Sequence, residues 1–488
     1  MISSEPLKTD IMKCDIAVIG GGGSGLAAAV AASEKGADVI VLEKRRMFGG
    51  NALMAEGLFA SQSRTQKRMM IDARSDELFR IAMEYAHWKL DPRIIRAFID
   101  KSGDTIHWLE EKNLKFDSLP PLYPNQVPLV WHCMKSAGAQ VARALINNCK
   151  DLGVRLLHKT AVTNILTDEK GRIIGVKAKS GTHEFKVMAK SIIIATGGYG
   201  GNKKLLKKYC PSYNGNIYCR GIPHMGDGLA MAVETGAATE GLGLLQMGGP
   251  FFQGSPHVAA VAREPNTIWV NRIGERFTDE SITFHTSESG NTIDRQPDKT
   301  SFTLFDEKTK HKMVYSGLFK RHRVGTHTLN DLEYEFGKNL DKEFLLEAKR
   351  GKVKISSSWD EIARWIGASS DVLKATIDEY NSFCNKGHDK IFTKDPIYLD
   401  ALRKPPFYAI RCGVSMLGTI GGIKINHHME VLNNKFNPIA GLYAVGVDTG
   451  GWESDTYNAI LSGSTFSFAI NSGRIAGENA AEYTLRKR

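Results

Sequence analysis

Residues 15–43 read DIAVIGGGGSGLAAAVAASEKGADVIVLE, a run with a strand, a glycine turn, a helix and a second strand that ends in an acid. It opens with an apolar run that is typical of a buried parallel strand. Gly20, Gly22 and Gly25 then form the pattern G-x-G-x-x-G, which permits a tight turn, close approach of a pyrophosphate and close packing of the next helix. Glu43 ends the next apolar run, where its carboxylate can accept hydrogen bonds from a ribose. The stretch therefore predicts a dinucleotide site built on a strand, a turn and a helix N-terminus.

The overall charge is basic but dispersed. The 488 residues include 64 Lys and Arg against 53 Asp and Glu, which gives a net charge of +11. Short basic clusters occur at 203–208 and 486–488. This pattern favours a solvated basic surface over a nucleic-acid site, and we expect no nucleic-acid partner. An acidic redox partner is compatible with the same charge.

The cysteines and the apolar runs indicate the compartment. Seven cysteines form no C-x-x-C pair and no haem or iron–sulfur spacing, which predicts free thiols, a reducing compartment and no metal site. The N-terminus has no apolar signal-peptide core, and the apolar runs elsewhere are too short to cross a bilayer. We therefore expect a cytoplasmic protein without a transmembrane segment.

The order of the elements predicts an α/β protein in which a Rossmann-like nucleotide domain is interrupted by insertions. A charged helical stretch is expected at 75–112, and alternating runs at 155–157, 161–166, 173–178 and 184–187 predict a small antiparallel sheet. Residues 191–195 then resume the buried sheet. The predicted domains are 1–245, the N-terminal part of the nucleotide domain; 246–395, an α+β capping domain that carries the substrate; and 396–488, the C-terminal part of the nucleotide domain.

Several motifs, in one order along nearly the whole chain, resemble those of one flavoprotein family. They are GGGGSGLAAA, LEK, GGN, ATGGYGGN, MGDGLAMA, VNRIGERFTDE, GGIKIN, GLYAVGVDTGG and SGRIAGENAA. The chain resembles the flavoproteins of fumarate reductase and succinate dehydrogenase, including soluble fumarate reductases and the related 3-ketosteroid dehydrogenases. The resemblance implies an FAD-binding domain with a capping domain over the flavin.

The resemblance also implies the residues that contact FAD. Asn51 stands where complex-bound relatives carry the histidine that is bonded to the flavin, so non-covalent FAD is expected. Asp448 stands where relatives usually have a glutamate. The implied contacts are Gly20, Gly22, Gly23, Ser24 and Gly25 at the pyrophosphate; Glu43 and Lys44 at the adenosine end; Val162, Thr196 and Gly197 beside the adenosine; Asp227 and Asp448 at the ribityl chain; Gly50, Asn51 and Gly57 along the flavin; and Gly446, Ser462, Gly463, Ser464 and Thr465 at the last strand and the flavin-edge turn.

The active-site motifs depart from the fumarate pattern. The resemblance places Gly248, Phe284, Gly418 and Ile460 at or beside the four positions where fumarate reductases carry histidines and arginines. A dicarboxylate would meet Met247, Phe284, Leu417 and Ile460, and burying an unpaired carboxylate costs several kcal/mol. We therefore expect a neutral, largely apolar substrate.

The predicted reaction is hydride transfer between flavin N5 and the β-carbon of a C=C bond conjugated to a carbonyl, in either direction. Tyr457 is the candidate for polarising the carbonyl oxygen, as a comparably placed tyrosine does in 3-ketosteroid dehydrogenases, and His285 is a candidate proton relay. Two alternatives stay open. One is an enoate reductase that binds a monocarboxylate through Arg263 or Arg295; the other is an electron carrier without its own substrate. A separate electron donor or acceptor is expected, since no second nucleotide-binding unit is found.

Overall fold

The computed structural model describes residues 10–116, 118–134, 136–319, 336 and 338–486. The strands, in chain order, are β1 Asp10–Lys13, β2 Ile16–Ile19, β3 Val39–Leu42, β4 Gly57–Phe59, β5 Trp131–Cys133, β6 Arg155–Leu157, β7 Thr160–Thr167, β8 Ile173–Ser180, β9 His183–Met188, β10 Ser191–Ile194, β11 Ile217–Cys219, β12 Thr239–Glu240, β13 Leu245–Phe251, β14 Ile268–Val270, β15 Thr300–Asp306, β16 Val353–Ser356, β17 Phe407–Thr419, β18 Gly422–Ile423, β19 Glu430–Leu432 and β20 Pro438–Ala444.

The α-helices of the described residues alternate with these strands in the nucleotide half and cluster in the capping half. They are α1 Gly23–Glu34, α2 Arg64–Arg68, α3 Ser75–Tyr85, α4 Pro92–Glu110, α5 Ala137–Asp151, α6 Lys203–Tyr209, α7 Asp227–Glu234, α8 Pro256–Val261, α9 Thr286–Asp294, α10 Glu307–Ser316, α11 Leu340–Lys349, α12 Trp359–Ile366, α13 Ser370–Lys386 and α14 Ser464–Leu485.

The first six-stranded sheet has the order β19-β20-β10-β2-β3-β6; four of its five pairings are parallel, and the edge strand β19 pairs with β20 in antiparallel orientation. All residues of β2, β3 and β10 are buried, as expected for parallel strands covered on both faces. Helices α1 and α14 pack closely because a Cβ at Gly473 would lie 2.3 Å from the Ser24 carbonyl oxygen. The predicted Rossmann-like fold is therefore confirmed.

Two local predictions differ from the structure. Residues 155–157 pair in parallel with β3 and extend the central sheet. The insertion consists of the antiparallel strands β7, β8 and β9, and β1 pairs in parallel with β9 at its edge. The stretch 75–112 forms two helices, because Asp91 caps the second with bonds to the amides of Arg93 and Ile94 and Pro92 occupies its first position. The Asp-Pro pair was the signal for this boundary.

The part of the structure that covers the nucleotide domain, here called the capping half, is built on a second sheet. Its strand order is β11-β17-β15-β14, and β13 and β16 also pair with β17. Its apolar face packs against α12 and α13 through a core that includes Ile362, Leu373 and Ile377. The long strand β17 and the short β11 lie outside residues 246–395, so this sheet takes strands from both sides of the predicted boundaries. The exact domain bounds stay a prediction.

A buried ion cluster fixes the motif VNRIGERFTDE within this half. Arg276 contacts Glu280 and Asp389, each at 2.7 Å, and the Lys394 ammonium lies 3.0 Å from Glu280. Burial raises the pKa of Glu280, but Lys394 and Arg276 outweigh it and hold the pKa below its usual value. Because Glu280 begins the 3₁₀ helix that ends at Phe284, the cluster positions Phe284 at the site described below.

Among the helices of the described residues, none has both the length and the apolar character that crossing a bilayer requires.

Candidate active site

A cavity of about 1080 Å³ lies between the nucleotide domain and the capping half, at the upper end of the volumes typical of ligand sites. It is bordered by residues at the carboxyl ends of the parallel strands β2, β3 and β10, where open α/β sheets bind ligands. The first residues of α1 and of α14 also line it, so two helix N-termini face one space. The cavity therefore joins the predicted nucleotide site and the predicted substrate site.

The glycine turn supplies the pyrophosphate end. Gly20, Gly22, Gly23 and Ser24 line the cavity. A Cβ at Gly22 would meet no atom within 4 Å, so this glycine leaves room for a ligand. Gly25 does not line the cavity; a Cβ there would lie 2.0 Å from the Gly20 carbonyl oxygen, so its role is close packing of the helix on the turn.

Glu43 lies at the end of β3 and lines the cavity. Its two carboxylate oxygens accept the amides of Gly21 and Arg45, each at 2.8 Å, which fixes the side chain beside the turn. Lys44 forms an ion pair of 2.5 Å with Asp227 at the start of α7. Lys44 and Asp227, predicted for the adenosine and ribityl ends, are thus neighbours on the cavity wall.

Asn51 and the short 3₁₀ helix Gly50–Met54 border the flavin end. Gly50, Asn51 and Gly57 all line the cavity, and the Asn51 side-chain oxygen accepts the amide of Ile222 at 2.7 Å. An asparagine side chain offers no ring nitrogen for the histidyl linkage, in agreement with the non-covalent attachment expected from the sequence.

His224 is a cavity residue that the sequence reasoning missed. Its ring lies 2.7 Å from the position of a Cβ at Gly197, and burial lowers the pKa of the imidazole to about 4. The ring is therefore neutral near pH 7. It belongs to the segment just before the motif MGDGLAMA, which was the available signal.

Asp448 holds the turn after β10. Its buried carboxylate accepts the amides of Gly197 and Gly198, each at 2.8 Å, as well as the amide and hydroxyl of Thr196. Thr196, Gly197 and Val162 line the cavity, whereas Asp448 and Gly446 lie behind the wall. A contact from Asp448 to the ribityl chain stays a prediction, and its observed hydrogen bonds all go to the turn.

The turn before α14 is the predicted flavin edge. Gly463 and Thr465 line the cavity, whereas Ser462 and Ser464 are buried beneath it. Ser462 is held by Gln126, whose amide nitrogen donates to its hydroxyl at 2.8 Å. The Thr465 hydroxyl is buried and has no hydrogen-bond partner among the described residues. An unsatisfied hydroxyl beside the first turn of a helix fits the polar edge of a flavin.

The far end of the cavity is largely apolar. Phe284, Leu417, Gly418 and Tyr457 line it together with Ala259 and Ala260. Met247, Gly248, Ile460 and His285 were also predicted for this site, but they do not line the cavity. The His285 ring packs against Tyr123 at a tilt of 40°, with centroids 4.3 Å apart, so its predicted catalytic role has no contact with the cavity to support it.

Tyr457 is buried against the first turn of α14. Burial raises the pKa of its phenol, and the nearby polar groups of Gly463 and Ser464 oppose this rise only in part. The Tyr85 hydroxyl donates to the Glu288 carboxylate at 3.1 Å and lies 3.4 Å from the Tyr457 carbonyl oxygen, which is the alternative acceptor for its one hydrogen. Tyr85 thus contacts the backbone of Tyr457.

Two arginines also line this end. The four family positions carry no cation, but Arg220, which follows β11, and Arg263, which follows α8, reach the cavity from other elements. Arg295 is exposed and does not line it. Glu56 lies on the same wall and was not predicted either. The prediction that the pocket contains no cations is therefore incomplete. The sequence motifs did not reveal which loops close over the flavin.

A buried acid lies behind the pocket and gives a pH prediction. Burial raises the pKa of Glu453 to about 8, opposed by the amide of Asn458. Because the folded pKa exceeds the ordinary 4.5, the stability that this protonated acid contributes is complete at low pH and is lost as the pH rises toward 8. The expected loss is roughly 3 kcal/mol of unfolding free energy between pH 4.5 and pH 7.

Glu453→Gln is expected to remove this part of the pH dependence, since an amide does not titrate. Urea unfolding at a series of pH values measures it, with Glu379→Gln on an exposed position of α13 as the control. If the unfolding free energy of Glu453→Gln changes with pH as steeply as that of the wild type, Glu453 is not the titrating group.

The geometry agrees with the proteins that this chain is similar to. The family model described as FAD binding domain matches residues 15–464. The vinyl phenol reductase of Lactiplantibacillus plantarum is 31% identical, over 96% of this chain and 97% of that protein. A fumarate reductase (cytochrome) of Shewanella frigidimarina is 28% identical, over 97% of this chain and 78% of the relative.

A solved structure agrees as well. The 3-ketosteroid-Δ4-(5α)-dehydrogenase from Rhodococcus jostii RHA1 superposes with a TM-score of 0.75 at 22% identity, covering 98% of this chain and 99% of that one, and so shares the fold. Together with the glycine turn, the Glu43 acceptor and the unsatisfied Thr465 hydroxyl, the matched family means that the cavity binds FAD. The chain belongs to the FAD binding domain family and is an FAD-dependent oxidoreductase.

Proposed function

We propose that this protein reduces the C=C bond of a small alkene conjugated to a single oxygen-bearing group. The observation that carries the proposal is the continuous cavity, in which the FAD cradle opens directly into an end lined by Phe284, Leu417 and Tyr457. The similarity to a vinyl phenol reductase along its whole length supports C=C chemistry on a substrate that is not a dicarboxylate. The desaturation direction is compatible with the same residues.

When bound, FAD would supply the hydride, and the chain's residues would bind and orient the alkene. Tyr457 is proposed to donate a hydrogen bond to the substrate oxygen, since its hydroxyl is buried and it lines the cavity. Phe284 and Leu417 are proposed to hold the apolar frame and to exclude water. The residues Gly20, Gly22, Gly23, Ser24, Glu43, Asn51, Gly463 and Thr465 are proposed to hold the cofactor.

A neutral substrate, such as an enone or a vinyl phenol, is supported by the loss of cations at the four family positions. A second candidate is a monocarboxylate, and the presence of Arg263 on the cavity wall favours it specifically. Arg295 gives no such support, since it is exposed away from the cavity.

Electrons are proposed to come from, or pass to, a separate partner, because the one recognisable nucleotide-binding unit is already assigned to FAD. A cytoplasmic location is proposed from the seven free cysteines.

The test is a product screen with the purified FAD-loaded protein and an artificial reductant. Cyclohexenone, 4-vinylphenol, cinnamate and fumarate are incubated separately, and the saturated products are quantified. We expect turnover of at least one of the first three and little turnover of fumarate. Turnover of fumarate alone would contradict the proposed substrate class, and flavin cycling without any product would favour an electron carrier.

A further inference from the structure

Arg220 is a charged side chain held inside the cavity. Its amide donates to the Met416 carbonyl at 2.9 Å, which fixes the loop after β11 to strand β17. The side chain lines the cavity next to Leu417 and Gly418, and its accessible surface faces that space. The guanidinium is thus presented to the substrate end by a fixed backbone.

The guanidinium has an unusual lack of partners. Within the ranges that the structure describes, it donates no hydrogen bond and forms no ion pair at contact distance, although it offers five N–H donors. Burial lowers the pKa of Arg220, opposed by the more distant charge of Glu56. Arg220 is an exposed residue that lines the cavity, so its guanidinium is open to a ligand there. An anionic oxygen is a suitable partner for it, particularly when two oxygens lie in the plane of the guanidinium.

Gly248 explains why the guanidinium reaches this position. A Cβ at Gly248 would lie 3.3 Å from a terminal nitrogen of Arg220, so a larger side chain there would press on the guanidinium. Gly248 also stands where fumarate reductases carry a histidine. The family's histidine is thus absent from β13, and Arg220, from the loop after β11, lies beside the position that it would occupy.

We propose that Arg220 binds an anionic oxygen of the substrate. This oxygen belongs to a carboxylate or a phenolate that is conjugated to the C=C bond. This inference rests on the proposed function and specifies its substrate class. Both oxygens are planar and conjugated, and both match the donor geometry of a guanidinium.

The same contact serves the reaction. For an enoate, a hydride adds to the β-carbon, the π electrons move toward the carboxylate oxygens, and a proton then adds at the α-carbon. For a vinyl phenol, a proton adds first to the terminal carbon of the phenolate, which gives a quinone methide; the hydride then adds beside the ring and restores the phenolate. In each case the two electrons come from reduced FAD, and hydride transfer places charge on the oxygen that Arg220 binds.

The experiment compares Arg220→Gln, Arg220→Lys and the wild type, with Arg364→Gln on the exposed face of α12 as the matched control. FAD content is measured first. We expect Arg220→Gln to raise the KM for cinnamate or 4-vinylphenol by about 30-fold or more while the KM for cyclohexenone changes little. Arg220→Lys should retain part of the binding, because the charge remains. Equal changes for all three substrates, or none, would overturn the proposal.

Two further arms keep the test decisive. If Arg220→Gln loses FAD, the wild type is compared on two pairs of substrates: 4-vinylphenol against 4-methoxystyrene, and cinnamate against its methyl ester. The acidic member of each pair should be preferred. Equal use of both members would overturn the proposed role of Arg220. If no alkene is reduced, the proposed function fails. Titration of 4-ethylphenol into the wild type and Arg220→Lys, followed by the flavin spectrum, still tests whether Arg220 binds the phenol oxygen. Preference for only one of the acids identifies which oxygen it is.

Discussion

Gly22→Val is expected to give a folded protein that no longer retains FAD. Gly22 has φ −76° and ψ −176°, an extended conformation that valine adopts readily, and a Cβ there would meet no protein atom within 4 Å. The new methyl groups would therefore point into the cavity at the pyrophosphate end, where they would block approach to the amides of α1. We expect FAD affinity to fall by about 1000-fold or more, equivalent to about 4 kcal/mol.

Titration of the apoprotein with FAD measures the affinity, and circular dichroism of the apoprotein verifies the fold. Gly25→Ala is the informative comparison, because its Cβ would lie 2.0 Å from the Gly20 carbonyl oxygen. That variant should lose thermal stability even without cofactor. Wild-type FAD affinity in Gly22→Val would contradict the assignment of this turn to the pyrophosphate.

Asp448→Ala is expected to destabilise the protein by about 3 to 5 kcal/mol. The substitution removes a buried carboxylate and leaves the amides of Gly197 and Gly198 without their acceptor. Burial raises the pKa of Asp448, while the hydrogen bonds from Gly198, Gly197 and Thr196 lower it. These donors therefore stabilise the ionised form of the buried carboxylate. Because the turn lines the cavity, weaker FAD binding should accompany the lost stability.

Urea unfolding of the apoprotein measures this effect separately from the cofactor. Asp448→Asn should lose less, since it keeps one acceptor oxygen, and Asp378→Ala on the exposed face of α13 should change the unfolding free energy by less than about 1 kcal/mol. A wild-type unfolding curve for Asp448→Ala would mean that the turn is held by other contacts.

The parts of the fold that local sequence determines were predictable. The strand, turn, helix and acid of residues 15–43 lie in one continuous segment, so spacing alone relates them. The pairing of β15 with β17 joins residues about a hundred positions apart, and no local pattern encodes it. The same reason explains why residues 155–157 were assigned to the wrong sheet: an apolar alternation predicts a strand but not its partner.

The candidate site divides in the same way. Gly22, Glu43 and Thr465 were found because they belong to motifs with a known relation to the nucleotide. Arg220 and His224 were not found, because their importance comes from the loop that brings them over the cavity. Gly248 and Ile460 stand at or beside family positions by motif resemblance, yet neither lines the cavity, since a motif fixes a position along the chain and not whether that residue borders the cavity.

We propose that this FAD cavity reduces an alkene with one conjugated oxygen group. Anaerobic reoxidation of the reduced, protein-bound flavin in a single turnover tests this. We expect rapid reoxidation by 4-vinylphenol, cinnamate or cyclohexenone, with one saturated product formed per flavin, and slow reoxidation by fumarate. Rapid reoxidation by fumarate together with inertness toward the other three would contradict it.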